Sequence, residues 1–332
     1  MIPDSNLKGQ KILITGGLGF IGSNLAQKCL ELGAEVTIYD CLDPNSGGNM
    51  FNIYSIKDSV ELIFSNILHF DDICKHILNK DILFNCAAST SHSFSMRDPL
   101  FNIDVNSKGV INLLEAARRF NPDMKFVHLG TTTQLGKAHY HPADESHPEY
   151  PTDIYSANKS VSEKYVLIYG RAYSIPVTVL RLPNVLGPRA AIHSKEFNFV
   201  NYFIGLALQN KDLTVFGTGN QMRNLMYIDD CISALIMASQ DKKTNNEVFF
   251  AVGDEHFSVA EIAQAIVTHM RSGKVKCIEW PKEMGAIEVG DARISNKKIK
   301  NSLGWHPKTD LVSGLKNTRE YFSSCLEHYL NR

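Results

Sequence analysis

The 332-residue sequence predicts an α/β fold, a doubly wound parallel sheet with helices on both faces and a smaller, mostly C-terminal second domain. Three observations predict it. Apolar runs of about five residues alternate with helical stretches through the first half, as in βαβ units. A glycine-rich turn directly follows the first of these runs. After residue 254 the alternation stops, which indicates a different architecture for the rest of the chain.

The elements follow in order from these patterns. A helix at Phe20–Leu32 ends before Gly33, and longer helices are predicted at Asn106–Phe120 and Ser156–Tyr173. The predicted strands are Lys11–Thr15, Glu35–Tyr39, Val60–Phe64, Asp81–Asn85, Lys125–Leu129, Val177–Leu182 and Val248–Val252. We therefore expect a dinucleotide-binding domain from 1–185 and 224–254, and a substrate domain from 186–223 and 255–332.

Composition limits the classes of partner. The net charge is −1, so neither nucleic acid nor an anionic membrane is an expected partner, and a bound anion needs a local site. No apolar run is long enough to span a membrane, and the first ten residues lack the apolar core of a signal peptide. Seven cysteines without a CxxC pair suggest buried free thiols in a reducing cytoplasm.

The glycine-rich turn has the spacing Gly16-x-x-Gly19-x-x-Gly22, between the first strand and the first helix. Glycine permits a tight turn and close approach of a diphosphate, which the N–H groups of the helix N-terminus then bind. Asp40 ends the second strand, where a carboxylate accepts hydrogen bonds from a ribose and repels a 2′-phosphate. These positions predict NAD rather than NADP as the cofactor.

Tyr155 and Lys159 lie four residues apart at the start of a predicted helix, so they share one face. A free tyrosine has a pKa of about 10 and is a poor base at neutral pH. A neighbouring ammonium and a cationic nicotinamide would both favour the phenolate. The pair is therefore predicted to be the reacting centre.

With these motifs, the chain resembles the extended short-chain dehydrogenase/reductases, the NAD-dependent nucleotide-sugar epimerases and dehydratases, which have a Rossmann-type fold. The resemblance runs nearly end to end. Its motifs are TGGLGFIG at 15–22, NCAAST at 85–90, GTTTQLG at 130–136, YSANK at 155–159, RLPNVLGPR at 181–189, RNLMYIDD at 223–230 and LGWHP at 303–307.

The resemblance implies roles for matching positions. Thr131 would hydrogen-bond the sugar oxygen that is oxidised, with Tyr155 as the base and Lys159 beside it. The implied cofactor-binding residues are Gly16, Gly19, Phe20, Ile21, Gly22, Asp40, Asn66, Ile67, Ala87, Ala88, Ser89, Asn106, Tyr155 and Lys159. The implied substrate-binding residues are Thr132, Asn184, Arg189, Phe216, Arg223, Asp291 and Arg293.

Within the substrate set, Asn184, Arg223 and Arg293 would contact a diphosphate, which the planar fork of arginine suits. Asp291 would accept from the nucleotide ribose, and Phe216 would border the base.

Two positions depart from the dehydratase pattern. The 4,6-dehydratases of the resembled family carry Asp-Glu after the active-site threonine, whereas this chain has Thr132 and Thr133. A hydroxyl cannot replace a carboxyl group in eliminating water. An epimerase that passes through a keto sugar is favoured, and a 4-dehydrogenase that releases the keto sugar is the alternative. A C2-epimerase, an atypical dehydratase and a non-enzymatic NAD sensor are weaker alternatives.

Two further expectations concern partners. His139, His141 and His147 share a proline-broken loop with two acids, but their spacing does not force three ligands to converge, so no metal is expected. The helix at Ser156–Tyr173 carries more apolar residues than one stripe against a sheet requires. These are Val161, Tyr165, Val166, Ile168 and Tyr169. Because relatives pair through this helix and Asn106–Phe120, we expect a homodimer.

Overall fold

The structure, a computed structural model, describes residues 7–282, 285 and 288–330. Its strands are β1 (Lys11–Thr15), β2 (Glu35–Asp40), β3 (Glu61–Phe64), β4 (Ile82–Asn85), β5 (Lys125–Thr131), β6 (Val177–Leu182), β7 (Asn184–Leu186), β8 (Leu213–Phe216), β9 (Met222–Tyr227), β10 (Glu247–Phe250), β11 (His256–Ser258) and β12 (Val275–Ile278). Its α-helices are α1 (Phe20–Glu31), α2 (Phe70–His76), α3 (His92–Arg97), α4 (Pro99–Ile103), α5 (Gly109–Phe120), α6 (Ile154–Tyr173), α7 (Phe199–Leu208), α8 (Ile228–Gln240), α9 (Val259–Met270), α10 (Lys297–Leu303), α11 (Leu311–Ser323) and α12 (Glu327–Leu330).

Seven of these strands form one parallel sheet in the order β10-β6-β5-β4-β1-β2-β3. The order reverses between β1 and β4, so a crevice opens at the carboxyl ends of these two strands. The prediction of a doubly wound parallel sheet is confirmed. β1 is buried on both faces, as its unbroken apolar sequence requires in a sheet covered by helices on both sides.

Two apolar cores lie on opposite faces of this sheet. On one face, Leu25 and Cys29 of α1 and Leu235 of α8 pack against Ile14 of β1. The other core, beneath α5 and α6, includes Leu113, Val166, Leu13, Phe126 and Val177. The helices thus cover both faces and leave the carboxyl edge of the strands open.

Three boundaries differ from the sequence prediction near the site. α6 begins at Ile154 because the Asp153 side chain accepts the Ser156 N–H at 2.8 Å and caps the helix. β5 extends two residues further, to Thr131, which pairs with Leu182 of β6. A wider helical turn at Asp104–Lys108 precedes α5, where a regular helix was predicted.

The remaining strands form two small sheets, β11-β9-β7 and β12-β8. α8 and β10 lie between them in sequence but belong to the large parallel sheet and its covering helices. β9 crosses the predicted boundary at 223/224, and β7 crosses the one at 185/186. The division into two domains remains a prediction.

Two further expectations concern the cysteines and the absence of a membrane span. The seven cysteines are free, but Cys41 and Cys277 are exposed, so the expectation of buried thiols is wrong for these two. Cys74 and Cys86 are only partly buried, and the other three are buried. Across the described residues, no helix has the length and apolar character to cross a bilayer. The cytoplasmic location expected from the sequence remains a prediction.

Candidate active site

A cavity of about 310 Å³ opens at the carboxyl ends of the parallel strands, where a doubly wound sheet binds ligands. It lies at the point where the strand order reverses. Its walls come from the glycine turn after β1, the end of β2, the segment after β4, the end of β5 and the first turn of α6. The predicted cofactor positions Gly16, Gly19, Phe20, Ile21, Gly22, Asp40, Asn66, Ile67, Ala87, Ala88 and Ser89 all line it.

The glycine turn is packed so tightly that larger residues would not fit. Gly16 has a φ of +69°, and a Cβ on it would lie 2.7 Å from the backbone nitrogen of Ala87. A Cβ on Gly22 would lie 2.3 Å from the carbonyl oxygen of Gly16. No side chain caps the N-terminus of α1, which begins at the cavity wall, so its first N–H groups remain available. This cradle fits the diphosphate of a dinucleotide.

Asp40 links the glycine turn to the loop that follows β2. Its carboxylate accepts hydrogen bonds from the backbone N–H of Leu18 at 3.0 Å and of Leu42 at 2.8 Å. Burial raises the pKa of Asp40, although these two N–H groups partly offset the effect. Because a carboxylate has about four acceptor positions, the group can still accept from a ribose in the cavity. The geometry fits the adenosine half of NAD.

Asn106 differs from the other predicted cofactor residues because it does not line the cavity. Its amide accepts from the Ser89 N–H at 3.1 Å and donates to the Ser89 carbonyl at 2.8 Å. A buried asparagine that satisfies both backbone groups of a wall residue fixes that wall. Asn106 thus supports the cavity wall through Ser89, and its contact with the cofactor remains a prediction.

Thr131, Thr132, Tyr155 and Lys159 meet at one end of the cavity. Tyr155 is 8% exposed and Lys159 is 4% exposed. Burial raises the pKa of Tyr155 above its ordinary value, and the hydrogen bond with Thr131 only partly offsets this. The Lys159 nitrogen lies 3.2 Å from Nε2 of His128. Its effect on the pKa of Tyr155 with the cofactor bound remains a prediction.

His128 belongs to a buried chain of polar groups behind Lys159. The Thr15 hydroxyl donates to the Asn85 amide oxygen at 2.8 Å, and the Asn85 amide nitrogen lies 3.0 Å from Nδ1 of His128. Burial, with a contribution from Lys159, holds the pKa of His128 well below its ordinary value, so its imidazole is neutral. Burial also lowers the pKa of Lys159 to about 8. The sequence analysis missed this chain, which fixes the position of the lysine.

A second polar pair, His92 and Asp153, lies next to Tyr155. Nδ1 of His92 lies 2.8 Å from a carboxylate oxygen of Asp153, and His92 lines the cavity. The His92 and Tyr155 rings meet edge to face, with centroids 4.9 Å apart. Burial alone would raise the pKa of Asp153, but hydrogen bonds from His92 and Ser156 lower it below the ordinary value. Sequence reasoning missed His92, but the helix-cap position of Asp153 could have signalled this carboxylate.

A row of hydroxyls connects the two sides of this site. The Thr131 and Thr133 hydroxyl oxygens are 3.1 Å apart, and Ser156 Oγ lies 2.9 Å from that of Thr133. Ser156 Oγ also lies 3.0 Å from the Asp153 carboxylate. Thr133, at one of the two positions that carry acids in the dehydratases, therefore has a place in an ordered chain of hydroxyls.

The predicted substrate residues fall into two groups. Thr132 and Asn184 line the cavity, whereas Phe216, Arg223, Asp291 and Arg293 do not. Arg223 is paired with Glu288 at 2.6 Å, and Arg293 lies 3.4 Å from Asp291. Asp291 also accepts the Met222 N–H at 2.9 Å, next to Arg223. The structure thus brings Arg223, Asp291 and Arg293 together outside the cavity.

Phe216, which is predicted to border the nucleotide base, packs against a second aromatic residue that the sequence analysis missed. Phe216 lies against Trp280, with ring centroids 5.3 Å apart. Both rings are partly exposed, so an aromatic base could stack on either face that remains open.

The structure does not place Arg189 at the cavity. Its guanidinium donates to the amide oxygens of Asn24 and Gln27 on α1, and its backbone has a φ of +69°. The donors of Arg189 are turned toward this helix, and its role in substrate binding remains a prediction.

The histidine-rich loop is held by local hydrogen bonds. Nε2 of His147 accepts the His139 N–H at 2.8 Å, and Glu145 accepts the Phe250 N–H at 2.8 Å. Within the described ranges, no three His, Cys, Asp or Glu side chains are arranged to hold a metal ion.

Comparisons with known proteins agree with this geometry. Residues 12–253 match the model of the NAD dependent epimerase/dehydratase family. The chain is 28% identical to the UDP-glucose 4-epimerase of Mycolicibacterium smegmatis, over 94% of this chain and 98% of that protein. It is 29% identical to the UDP-N-acetyl-alpha-D-glucosaminuronate decarboxylase of Bacillus cytotoxicus, over 94% and 98%.

Among solved structures, the UDP-glucose 4-epimerase of Thermotoga maritima, in complex with UDP-glucose, superposes with a TM-score of 0.86 at 27% identity. The match covers 96% of this chain and 100% of the other. Relatives with different reactions share one architecture, so similarity alone does not select the reaction. The chain belongs to the NAD dependent epimerase/dehydratase family, within the extended short-chain dehydrogenase/reductases, and it is an NAD-dependent enzyme with a Rossmann-type fold.

Proposed function

We propose that this chain is a nucleotide-sugar epimerase that acts through a transient keto sugar. One observation carries the proposal. The cavity that holds the glycine turn also holds Thr131, Tyr155 and Lys159, whereas hydroxyls occupy 132 and 133. Removal and return of a hydride at one carbon need only these groups and NAD, whereas elimination of water needs additional acids.

The residues have distinct tasks in this reaction. Bound NAD would supply the acceptor for a hydride from the sugar carbon and the donor that returns it. Tyr155 takes the proton of the hydroxyl on that carbon, and Thr131 hydrogen-bonds the same oxygen. The charge on Lys159 favours the phenolate form of Tyr155 when the nicotinamide is present. Because both residues are almost fully buried, water has little access to the proton during the reaction.

The substrate assignment remains part of the proposal. Asn184 borders the cavity, and Arg223 with Arg293 supplies two guanidinium groups next to Asp291. Binding of a diphosphate would replace Glu288 as the partner of Arg223, an exchange of one anion for another. The base would lie at Phe216 and Trp280. The names of the relatives favour a UDP-sugar.

A panel of UDP-, GDP-, CDP- and dTDP-sugars tests the reaction, with products followed by NMR and mass spectrometry. The NAD that remains bound through purification is measured in parallel. We expect an epimer with NAD retained and no net NADH. A keto sugar released with one equivalent of NADH would show a dehydrogenase instead. Carbon dioxide from a uronic acid substrate would show a decarboxylase. Either result, or no turnover of any sugar, would contradict the proposal.

A homodimer is also proposed, with a second copy of this chain on the outer face of α6. Val161 is 38% exposed and Ile168 is 55% exposed, seven residues apart on one face of the helix. Tyr165, Val166 and Tyr169, by contrast, pack into the core beneath the helix. Light scattering should give twice the chain mass, and the substitution Ile168→Glu should give a monomer. A monomeric wild-type protein at micromolar concentration would contradict this arrangement.

A further inference from the structure

His92 and Asp153 form an acid–base pair that hydride transfer at one carbon does not require. The imidazole is fixed through Nδ1 by a carboxylate that is only 2% exposed, while the His92 side chain itself is 37% exposed. Across the described residues, Nε2 of His92 makes no hydrogen bond, and the ring lines the cavity. A histidine held in this way by a buried carboxylate is oriented for proton transfer through its other nitrogen.

No other titratable side chain in the cavity is as well placed beside Tyr155. The others that line it are Tyr39, Asp40, Cys41, Asp43, Cys86 and Lys159. The first four lie at or just after the end of β2, in the half assigned to adenosine. Burial raises the pKa of the Cys86 thiol to about 12, so it remains protonated. Lys159 is nearly fully buried and contacts His128. His92 is thus the cavity-lining imidazole that contacts the Tyr155 ring and is oriented by a buried carboxylate.

We propose that His92, oriented by Asp153, removes and returns the proton on the sugar carbon adjacent to the keto carbon. This rests on the proposed function only in requiring that a nucleotide keto sugar occupies the cavity. The substrates would be nucleotide-linked 4-keto sugars, and the added activity is proton exchange, with inversion wherever the proton returns to the opposite face.

The step is balanced without a co-reactant. Nε2 of His92 takes the proton from the adjacent carbon, and the C–H bonding pair becomes the C=C bond of an enolate. The π pair of the carbonyl moves onto the oxygen, where the Tyr155 and Thr131 hydroxyls donate hydrogen bonds to it. The Asp153 carboxylate stabilises the imidazolium. Return of the same proton, or of one from solvent, restores the ketone, so nothing is oxidised or reduced.

The His92–Asp153 pair could take over the proton transfer that acids at positions 132 and 133 perform in the dehydratases. Thr132 and Thr133 cannot remove a carbon-bound proton at neutral pH, because a hydroxyl is far too weak a base. His92 belongs to α3, lines the same cavity and contacts the Tyr155 ring edge to face. The protein therefore retains one acid–base residue for carbon chemistry, placed on a different element.

The experiment supplies the ketone directly, so it does not depend on oxidation by the protein. The full chain with NAD⁺ is incubated in D₂O with UDP-4-keto-6-deoxyglucose as the probe. Deuterium at the carbons on either side of the keto group is measured by proton NMR and mass spectrometry. Exchange in protein-free buffer is subtracted. The wild type is compared with His92→Asn, with Asp153→Asn, which retains a helix-capping side chain, and with the exposed-surface control His306→Asn.

We expect exchange catalysed by the wild type and by His306→Asn. In His92→Asn and Asp153→Asn it should fall by at least about 100-fold, the lower range of general acid–base catalysis. Added imidazole should restore part of the exchange to His92→Ala, which a purely structural role would not allow. Wild-type exchange at the buffer rate, undiminished exchange in His92→Asn, or no rescue by imidazole would overturn the proposal.

The result is separable from the proposed function. Exchange into the supplied keto sugar without turnover of any sugar alcohol would refute the epimerase and leave the role of His92 intact. Epimerisation of a sugar alcohol without exchange into the keto probe would refute the role of His92 alone.

Discussion

Replacement of Lys159 by methionine should stabilise the apo-protein while removing its activity. The Lys159 side chain is almost fully buried, and burial lowers its pKa to about 8 from the ordinary 10.5. The folded state therefore holds the ammonium less favourably than the unfolded chain does. Methionine has a similar length and no charge to desolvate.

The size of the effect follows from the pKa. The pKa of Lys159 falls from 10.5 in the unfolded chain to about 8 in the folded protein. This fall lowers the free energy of unfolding by roughly 3 kcal/mol at any pH where Lys159 is charged in both states. Below pH 8 both states are protonated, so the full penalty applies. Between pH 8 and 10.5 the folded state is neutral while the unfolded chain still binds the proton, so wild-type stability rises with pH. Methionine removes this dependence.

Urea unfolding of NAD-free protein at pH 7 and pH 9.5 measures the effect. At pH 7, Lys159→Met should exceed the wild type by about 1–3 kcal/mol, because loss of the His128 contact offsets part of the gain. At pH 9.5 the difference should shrink to about 1 kcal/mol or less. The exposed control Lys75→Met should stay within about 0.5 kcal/mol of the wild type. A variant less stable than the wild type at pH 7, or a difference that grows with pH, would refute the reasoning.

Three further substitutions probe other parts of the molecule. Tyr155→Phe should lower turnover by at least about 100-fold and leave NAD affinity nearly unchanged, since only the phenolic oxygen is lost; equilibrium dialysis and product NMR check this. Asp40→Asn should raise the ratio of NADP⁺ to NAD⁺ affinity about tenfold or more, because the repulsion of a 2′-phosphate is removed; an unchanged ratio in calorimetry would count against the role of the carboxylate. Arg181 is only 3% exposed and pairs with the carboxylates of Glu149 and Glu163. Arg181→Met should therefore lower the free energy of unfolding in urea by about 3–5 kcal/mol. The control Arg119→Met, at a half-exposed side chain, should lower it by less than about 1 kcal/mol.

The fold could be predicted from sequence because its signals are local. Short apolar runs, a glycine turn and a helix N-terminus each follow from neighbouring residues, and all seven predicted strands differ from the observed ones by two residues or fewer at either end. The exact end of β5 was missed by two residues, because Thr131 joins the strand only through pairing with β6. That pairing depends on a segment more than forty residues away.

The positions that escaped prediction depend on contacts between distant segments. Arg189 follows a family motif, but its donors meet α1, and no local pattern indicates this. Asn106 is predicted to lie near the cofactor, and in the structure it hydrogen-bonds the backbone of Ser89, which lines the cavity. His92 and His128 each stand alone in the sequence, and they become functional candidates only beside Asp153 and Lys159. Such juxtapositions arise from tertiary packing, which sequence spacing does not report.

The hydroxyl chain explains why elimination acids would not fit this site. Thr133 lies 2.9 Å from Ser156 Oγ, which in turn lies 3.0 Å from the Asp153 carboxylate. A glutamate at 133 would bring a second carboxylate toward Asp153, and like charges this close in a partly buried site disfavour one another. Asp153 is also committed to capping α6 and to holding His92. Thr133 and the His92–Asp153 pair are therefore connected through Ser156 within one site.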